Sequence, residues 1–122
     1  MASFFYDSYA IIEFIGGNPV YQKYFTKHEG VTTLYNVMEV YYSVLREEGL
    51  QKAQRVLGLL APIVVYPTID HVETSMQFRL KYKDKRLSYA DCLGYAIAAK
   101  RGVPFLTGDE GFRHISNVEF VK

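Results

Sequence analysis

Leu87-Ser-Tyr-Ala-Asp91-Cys-Leu-Gly-Tyr-Ala-Ile-Ala-Ala-Lys-Arg-Gly-Val-Pro-Phe-Leu-Thr-Gly-Asp109 reads as an almost wholly apolar helix, a tight Gly/Pro turn and a short buried strand. An aspartate marks each end of this unit, Asp91 in the first helical turn and Asp109 just past the strand. A carboxylate at the start of a buried helix is costly unless something compensates it. β-α-β geometry can bring the second carboxylate beside the first, and two such groups repel unless a cation lies between them. The stretch therefore predicts an α/β layer structure with a metal site at one edge of its sheet.

Outward from this stretch, helical and strand-like patterns alternate. Ser3 to Tyr6 reads as a short aromatic strand ending at Asp7, and Tyr9 to Ile15 as a helix stopped by Gly16-Gly17. Pro19 to Lys27 has the pattern of a second short helix, with proline in its first turn. Gly30 to Thr33 is a brief strand, followed by a long amphipathic helix from Leu34 to Glu48 ending at Gly49. Leu50 to Leu60 is another helix, after which Pro62 opens a β-branched strand, Ile63 to Tyr66. Asp70 to Lys83 is helical, with Val72, Met76 and Leu80 marking one face. A final strand is expected near Val118 to Val121. Repeats and low-complexity segments are absent from the sequence.

Such alternation predicts an open, mainly parallel sheet with helices on both faces. Ligands of such sheets bind beyond the carboxyl ends of the strands. Asp7 and Asp109 both follow predicted strands and belong on that edge. Asp91 reaches it if the preceding loop crosses it, and Glu39, early in the long helix, can reach it too.

At 122 residues the chain is expected to form a single domain over residues 1–122, with 49% hydrophobic and 22% charged residues. Its apolar stretches are broken by Tyr, Gly, Glu or Pro before membrane-spanning length, so no membrane association is expected. The start, Met1-Ala-Ser-Phe-Phe-Tyr-Asp7, has no basic region leading into a long apolar run, so no signal peptide is expected. The one cysteine, Cys92, excludes an internal disulfide and fits a reducing, cytoplasmic compartment. Inside its apolar helix it reads as core rather than nucleophile.

Net charge is only +1. Setting aside Asp7, Glu39, Asp91 and Asp109 leaves +1 − (−4) = +5, a mildly basic body around an acidic hole. Arg79, Lys81, Lys83, Lys85 and Arg86 cluster, with Tyr82 among them and Tyr89 just beyond. Cations alternating with aromatics can hold phosphates and stack bases, though a solvated helix end and loop has the same composition. His28, His71 and His114 share no ligand spacing and read as surface or capping residues, Glu110 as a solvent-exposed turn residue. Glu13 faces either solvent or the site.

Each acid also has a purely local reading. Asp7 can be the N-cap of the helix after the first strand. Ser88-Tyr-Ala-Asp91 matches a capping box. Glu39 can lie on a polar stripe with Asn36 and Ser43, and Asp109 sits in an ordinary turn composition, Thr-Gly-Asp-Glu-Gly. All four nevertheless fall at predicted strand–helix junctions.

Four blocks carry a family resemblance: Phe4-Phe5-Tyr6-Asp7-Ser8, Val31-Thr-Thr-Leu-Tyr-Asn-Val-Met-Glu39-Val-Tyr41, Leu87-Ser-Tyr-Ala-Asp91 with the alanine-rich helix behind it, and Leu106-Thr107-Gly108-Asp109 followed by Phe112. In these blocks the chain resembles PIN-domain proteins, the nuclease fold that includes VapC-type toxins of toxin–antitoxin pairs. The resemblance runs nearly end to end. It implies a PIN-like three-layer α/β sandwich with a short, mainly parallel sheet flanked by helices. It also implies an acidic site of Asp7, Glu39, Asp91 and Asp109, with Thr107 as a supporting hydroxyl. The residue after the first acid is often Thr in the family and is Ser8 here, which keeps a hydroxyl.

A carboxylate site without His or Cys selects hard divalent ions, Mg²⁺ or Mn²⁺, over Zn²⁺. Together with the resemblance, this predicts RNA hydrolysis by metal-activated water without a covalent intermediate. Asp7 and Asp91 are expected as direct ligands. Asp109 is expected to bind a second ion or position the water, and Glu39 to act as ligand or water-orienting base. Ser8 and Thr107 would fix carboxylate rotamers. Arg79, Lys81, Lys83, Lys85 and Arg86 would guide a single-stranded or looped RNA, with DNA not excluded as substrate. Two other classes fit less well. A haloacid-dehalogenase-like phosphatase needs an aspartate where Tyr9 stands, and a receiver module needs an acidic pair at the first strand, which is missing. A non-catalytic PIN-like module binding RNA or protein is the remaining alternative. The resemblance implies an antitoxin partner, and the tyrosine-rich first third of the chain implies an apolar surface for that partner or for a homodimer.

Overall fold

A computed structural model describes residues 3–122. Four strands form one parallel sheet in the order β2-β1-β3-β4. They are β1 (Ser3–Tyr6), β2 (Glu29–Val31), β3 (Phe105–Thr107) and β4 (Val118–Phe120). The helices are α1 (Ser8–Ile15), α2 (Gln22–Thr26), α3 (Leu34–Glu48), α4 (Leu50–Leu60), α5 (Ile69–Lys81) and α6 (Tyr89–Arg101).

The period-two geometry of the strands divides the core. Phe4, Tyr6 and Leu106 face α1, α3 and α4, where Ala10, Ile11, Val40 and Val56 pack against them. Phe5 and Phe105 point to the opposite face, where α6 supplies Cys92, Ile97 and Ala98. The result is the three-layer sandwich that the alternation predicts, with all four strands parallel. Cys92 is fully buried.

Strand order also locates the crevice. From β1 the chain winds to one side to form β2, then returns to the other side of β1 to form β3. Winding direction reverses between β1 and β3, so the segments leaving these two strands diverge and open a cleft at their carboxyl ends. Tyr6 pairs with Leu106, and the Asp7 backbone N–H donates to Leu106 O at 3.1 Å. Asp7 and the turn after Thr107 thus flank the reversal point.

α6 must approach the sheet closely. A Cβ placed on Gly94 would lie 2.7 Å from the Phe5 ring, closer than any real contact allows. The run of Gly94, Ala96 and Ala98 is what lets the helix bed against two phenylalanines. Ser88 caps its start and Gly102, at φ 71°, ends it in the left-handed conformation.

Some expected elements differ. Pro19 to Lys27 divides into a 3₁₀ turn, Pro19–Tyr21, and the short α2, while the second strand covers Glu29–Val31 rather than Gly30 to Thr33. Ile63 to Tyr66 is not a strand. Pro62 instead sits in a 3₁₀ turn over Ala61–Ile63, and the β-branched run meets the sheet at one bridge, Thr32 to Val64. Pro67, lacking an N–H, follows at once. The expected face of α5 is met only in part: Met76 is half-buried against the core, but Val72 and Leu80 are 48% and 72% exposed, and the buried residues are His71 and Ser75. α5 packs mainly on α6, and Ser75 is buried, its hydroxyl donating to Val72 O at 3.0 Å. His71 is a capping residue, as one reading had it, but a buried one: its Nδ1 accepts from the Thr68 backbone N–H at 2.9 Å.

Candidate active site

Asp7 ends β1 and stands at the N-cap of α1, yet its side chain makes no capping hydrogen bond. Its carboxylate is turned instead toward β3, where Thr107 Oγ1 donates to Oδ2 at 2.7 Å. The hydroxyl in turn accepts the Asp109 backbone N–H at 3.1 Å. Asp7 is only 3% exposed. Burial, then the charges of Asp91 and Asp109, push its carboxyl up from 3.8 to about 7, against the pull of the Thr107 bond.

Asp91 satisfies its local reading in full. Its Oδ2 accepts from the Ser88 backbone N–H at 2.9 Å, and its own N–H donates to Ser88 Oγ at 3.0 Å. The capping box does not exhaust it, for burial pushes its carboxyl upward, with the charges of Asp109 and Glu39 acting in the same sense. Asp109 opens a 3₁₀ turn, Glu110–Phe112, and its Oδ1 accepts from the Gly111 N–H at 2.9 Å. Glu39, on α3, is exposed and accepts from Ser8 Oγ at 2.6 Å. The cleft is therefore graded, dry at Asp7 and open to solvent at Glu39.

The four acids thus lie within electrostatic reach of one another, through Asp7–Asp91, Asp7–Asp109, Asp91–Asp109 and Asp91–Glu39. Burial, like charge and hydrogen bonds are the leading influences on Asp7 and Asp91. Among the described residues, no group of three or more His, Cys, Asp or Glu side chains is already drawn in to hold an ion. The donor chemistry fits a hard divalent cation nonetheless: all ligating atoms are oxygens, and one buried carboxylate shares its field with two like charges. Such a cation would offset the burial and like charge that together raise the Asp7 carboxyl to about 7.

Part of the basic run adjoins the Asp109 turn. Arg79, in α5, donates from Nε to Leu87 O at 3.1 Å, and its guanidinium lies 4.4 Å from the Tyr89 ring centroid. Lys83 and Lys85 lie in a 3₁₀ turn that ends at Arg86 in the left-handed conformation. A Cβ on Gly111 would lie 3.3 Å from Asp109 Oδ1 and 3.4 Å from Lys85 O, so this turn abuts the Asp109 turn. Lys81 lies 5.4 Å over Tyr82, and Asp84 interrupts the run.

Glu13 and Glu110 have other partners. Glu13 accepts from Asn18 Nδ2 at 2.7 Å, and Glu110 is exposed and paired with Arg113 at 2.6 Å. His28 packs edge-on against Phe4, and His114 takes a positive φ of 71° in an exposed turn. The residue that sequence reasoning passed over is Asn36. It is buried rather than part of a solvated stripe, and it bonds both Thr33 and Ser8. The available signal was Thr33, an N-cap hydroxyl three residues before it.

Residues 4–118 match the PIN domain family, and the chain belongs to that family. In fold it is similar to three solved structures, each aligned over almost its full length. With a toxin–antitoxin complex from Klebsiella pneumoniae it shares 21% identity at a TM-score of 0.75, covering 97% of this chain and 95% of that one. VapBC2 from Rickettsia felis, bound to a DNA fragment from its promoter, gives 14% and 0.70, covering 98% and 97%. VapBC-5 from Mycobacterium tuberculosis gives 19% and 0.68, covering 100% and 99%. Comparison with curated protein sequences returns no match.

Proposed function

We propose that this chain, as one domain, is a divalent-metal-dependent endoribonuclease, acting as the toxin of a toxin–antitoxin pair. The observation that carries the reading is Asp7: a buried carboxylate at the sheet's reversal point, free of its capping role and in the field of Asp91 and Asp109. PIN domains are in general nucleases, and the fold neighbours are toxin–antitoxin complexes.

In this reading Asp7 and Asp91 hold Mg²⁺ or Mn²⁺, with Asp109 and Glu39 completing the site. The cation, when bound, lowers the pKa of water and offsets charge building on the phosphodiester. Thr107 keeps the Asp7 carboxylate in one rotamer, and Ser8 does the same for Glu39. Glu39, at the open end, accepts a proton from the attacking water or orients it. Arg79, already fixed by the Leu87 carbonyl and the Tyr89 ring, binds a phosphate beside the acids. Lys81, Lys83, Lys85 and Arg86 extend that path along the RNA backbone. Tyr89, 67% exposed, offers a face on which an unpaired base can stack.

We further place the protein in the cytoplasm, with an antitoxin partner and as a homodimer. No helix among the described residues is long and apolar enough to cross a membrane. The surface for association is the outer face of α3, where Leu34, Tyr35, Met38, Tyr42 and Leu45 are exposed at helical spacing.

The test is cleavage of a panel of single-stranded and structured RNAs with Mg²⁺, Mn²⁺ or EDTA, comparing wild type with Asp7→Asn and Asp91→Asn. Metal-dependent cleavage lost in both variants supports the reading. Cleavage that survives EDTA, or that persists in both folded variants, refutes it.

A further inference from the structure

The side chains of Thr33, Asn36, Ser8 and Glu39 form one line of hydrogen bonds between α3 and α1. Thr33, the N-cap of α3, accepts the Asn36 backbone N–H at 3.3 Å, and its own proton goes to Asn36 Oδ1, 2.7 Å away. With its oxygen so engaged, the Asn36 amide presents its NH₂ to α1, and Nδ2 donates to Ser8 Oγ at 2.9 Å. A serine has one hydroxyl proton. Since Asn36 donates to it, that proton is directed to Glu39 Oε1 at 2.6 Å, the length of a charge-assisted bond. Every link has one possible direction, because Nδ2 can only donate and a carboxylate can only accept.

Asn36 is 1% exposed, so its amide has no water with which to exchange partners. The helix end does not require this side chain, because Thr33 already serves as the cap. Asparagine is also a poor helix former, so propensity does not explain it at this position. What it supplies is a rigid planar group that accepts at one end and donates at the other. Ser8 and Glu39 lie at the solvent end of the line, where an unsupported glutamate would sample several rotamers.

We propose that Asn36 is a positioning residue of the nuclease site: acting through Ser8, it holds the Glu39 carboxylate toward Asp91. The inference rests on the nuclease reading above and adds a residue to it. It also gives the hydroxyl after Asp7 a specific task, since alanine at Ser8 would disconnect Asn36 from the site.

The experiment is a double-mutant cycle read by calorimetric Mn²⁺ titration of the metal-free protein, using wild type, Asn36→Ala, Ser8→Ala and the pair. Ser8→Ala removes a hydrogen bond to the charged Glu39, and Asn36→Ala releases the hydroxyl that makes it, so each single variant should bind Mn²⁺ about ten-fold more weakly. The double variant should be no weaker than either single one, and Ser8→Thr, which keeps the hydroxyl, should retain wild-type affinity. Losses that add in the double variant, or an unchanged Mn²⁺ affinity in folded Asn36→Ala, overturn the proposal. Should Asn36→Ala fail to fold, Asn36→Ser takes its place in the cycle, since serine can still bond Thr33 but cannot reach Ser8. RNA cleavage measured in parallel keeps the two readings apart. A wild type that binds Mn²⁺ but cuts no RNA refutes the nuclease reading while the cycle still decides on Asn36. A wild type that binds no Mn²⁺ refutes both.

Discussion

At the scale of single residues, Asp7 sets the pH behaviour. Burial and the Asp91 charge raise its carboxyl from 3.8 to about 7, so the folded chain holds that proton more tightly than the unfolded chain. The stability this contributes is complete below about pH 3.8 and is lost as pH rises through about 7. Metal-free wild type should therefore lose melting temperature between pH 5 and pH 8 relative to Asp7→Asn. At pH 8 the variant should be the more stable by on the order of a few kcal/mol. A pair of melting curves at each pH checks this, and parallel slopes would refute it. Divalent ions compete with the same proton, so Mn²⁺ affinity should fall as pH drops through about 7. Thr107→Val removes the 2.7 Å bond that favours the ionised form, and should raise that midpoint further while weakening Mn²⁺ binding about ten-fold. Cys92 behaves oppositely to a reactive thiol. Burial pushes it up to about 11, so a thiol reagent at pH 8 should label it only as fast as the chain opens.

At the scale of elements, α6 is the piece on which the site depends most. Its small residues bring Asp91 to the sheet edge, and Gly94 is the tightest point, since a methyl group there would lie 2.7 Å from Phe5. Gly94→Val should destabilise the protein by roughly 1–3 kcal/mol, and should weaken Mn²⁺ binding because Asp91 moves outward with its helix. Denaturant melts and calorimetry on the same sample test both effects, and a variant of wild-type stability would contradict the packing argument. The same segment shows why much of the fold was legible. A Ser88 cap, an alanine-rich run and Gly102 are local signals, and helices α3 and α4 fall on their expected bounds for the same reason. Where legibility failed, the deciding contacts were distant. Ile63 to Tyr66 has strand composition, but its neighbour is a single residue of another segment, Thr32. On α5 the apolar periodicity pointed to Val72, Met76 and Leu80, of which Met76 alone packs on the core, while His71 and Ser75 are the buried residues. Asp7 and Asp109 could be placed at one sheet edge from the strands before them, and Asp91 and Glu39 from their places in helices. Asn36 was harder to read: Thr33, three residues before it, marks the helix cap, but the packing of α1 on α3 is what buries the amide against Ser8.

At the scale of the whole molecule, aromatic excess and exposure meet on α3. Tyr6, Tyr21 and Tyr24 are buried in the core, while Met38 and Tyr42 are 64% and 61% exposed on the outer face of their helix. A second copy or an antitoxin covering this face would remove a continuous apolar stripe from water. Sedimentation of wild type should give a dimer at micromolar concentration, and Met38→Glu combined with Tyr42→Glu should give a folded monomer. A wild-type monomer throughout would contradict the homodimer.

The hydrogen bond between Thr107 and Asp7 joins residues 100 positions apart, across the first and third strands. Order of synthesis then becomes a safeguard. A chain still emerging from the ribosome has made Asp7, Glu39 and Asp91 before the strand that gathers them exists. It holds the acids without the cleft. The cleft is complete only when β3 has been made and pairs beside β1. In the proposed role of an RNA-cutting toxin, this delay would keep the message being read, and the ribosome reading it, out of reach of the unfinished chain.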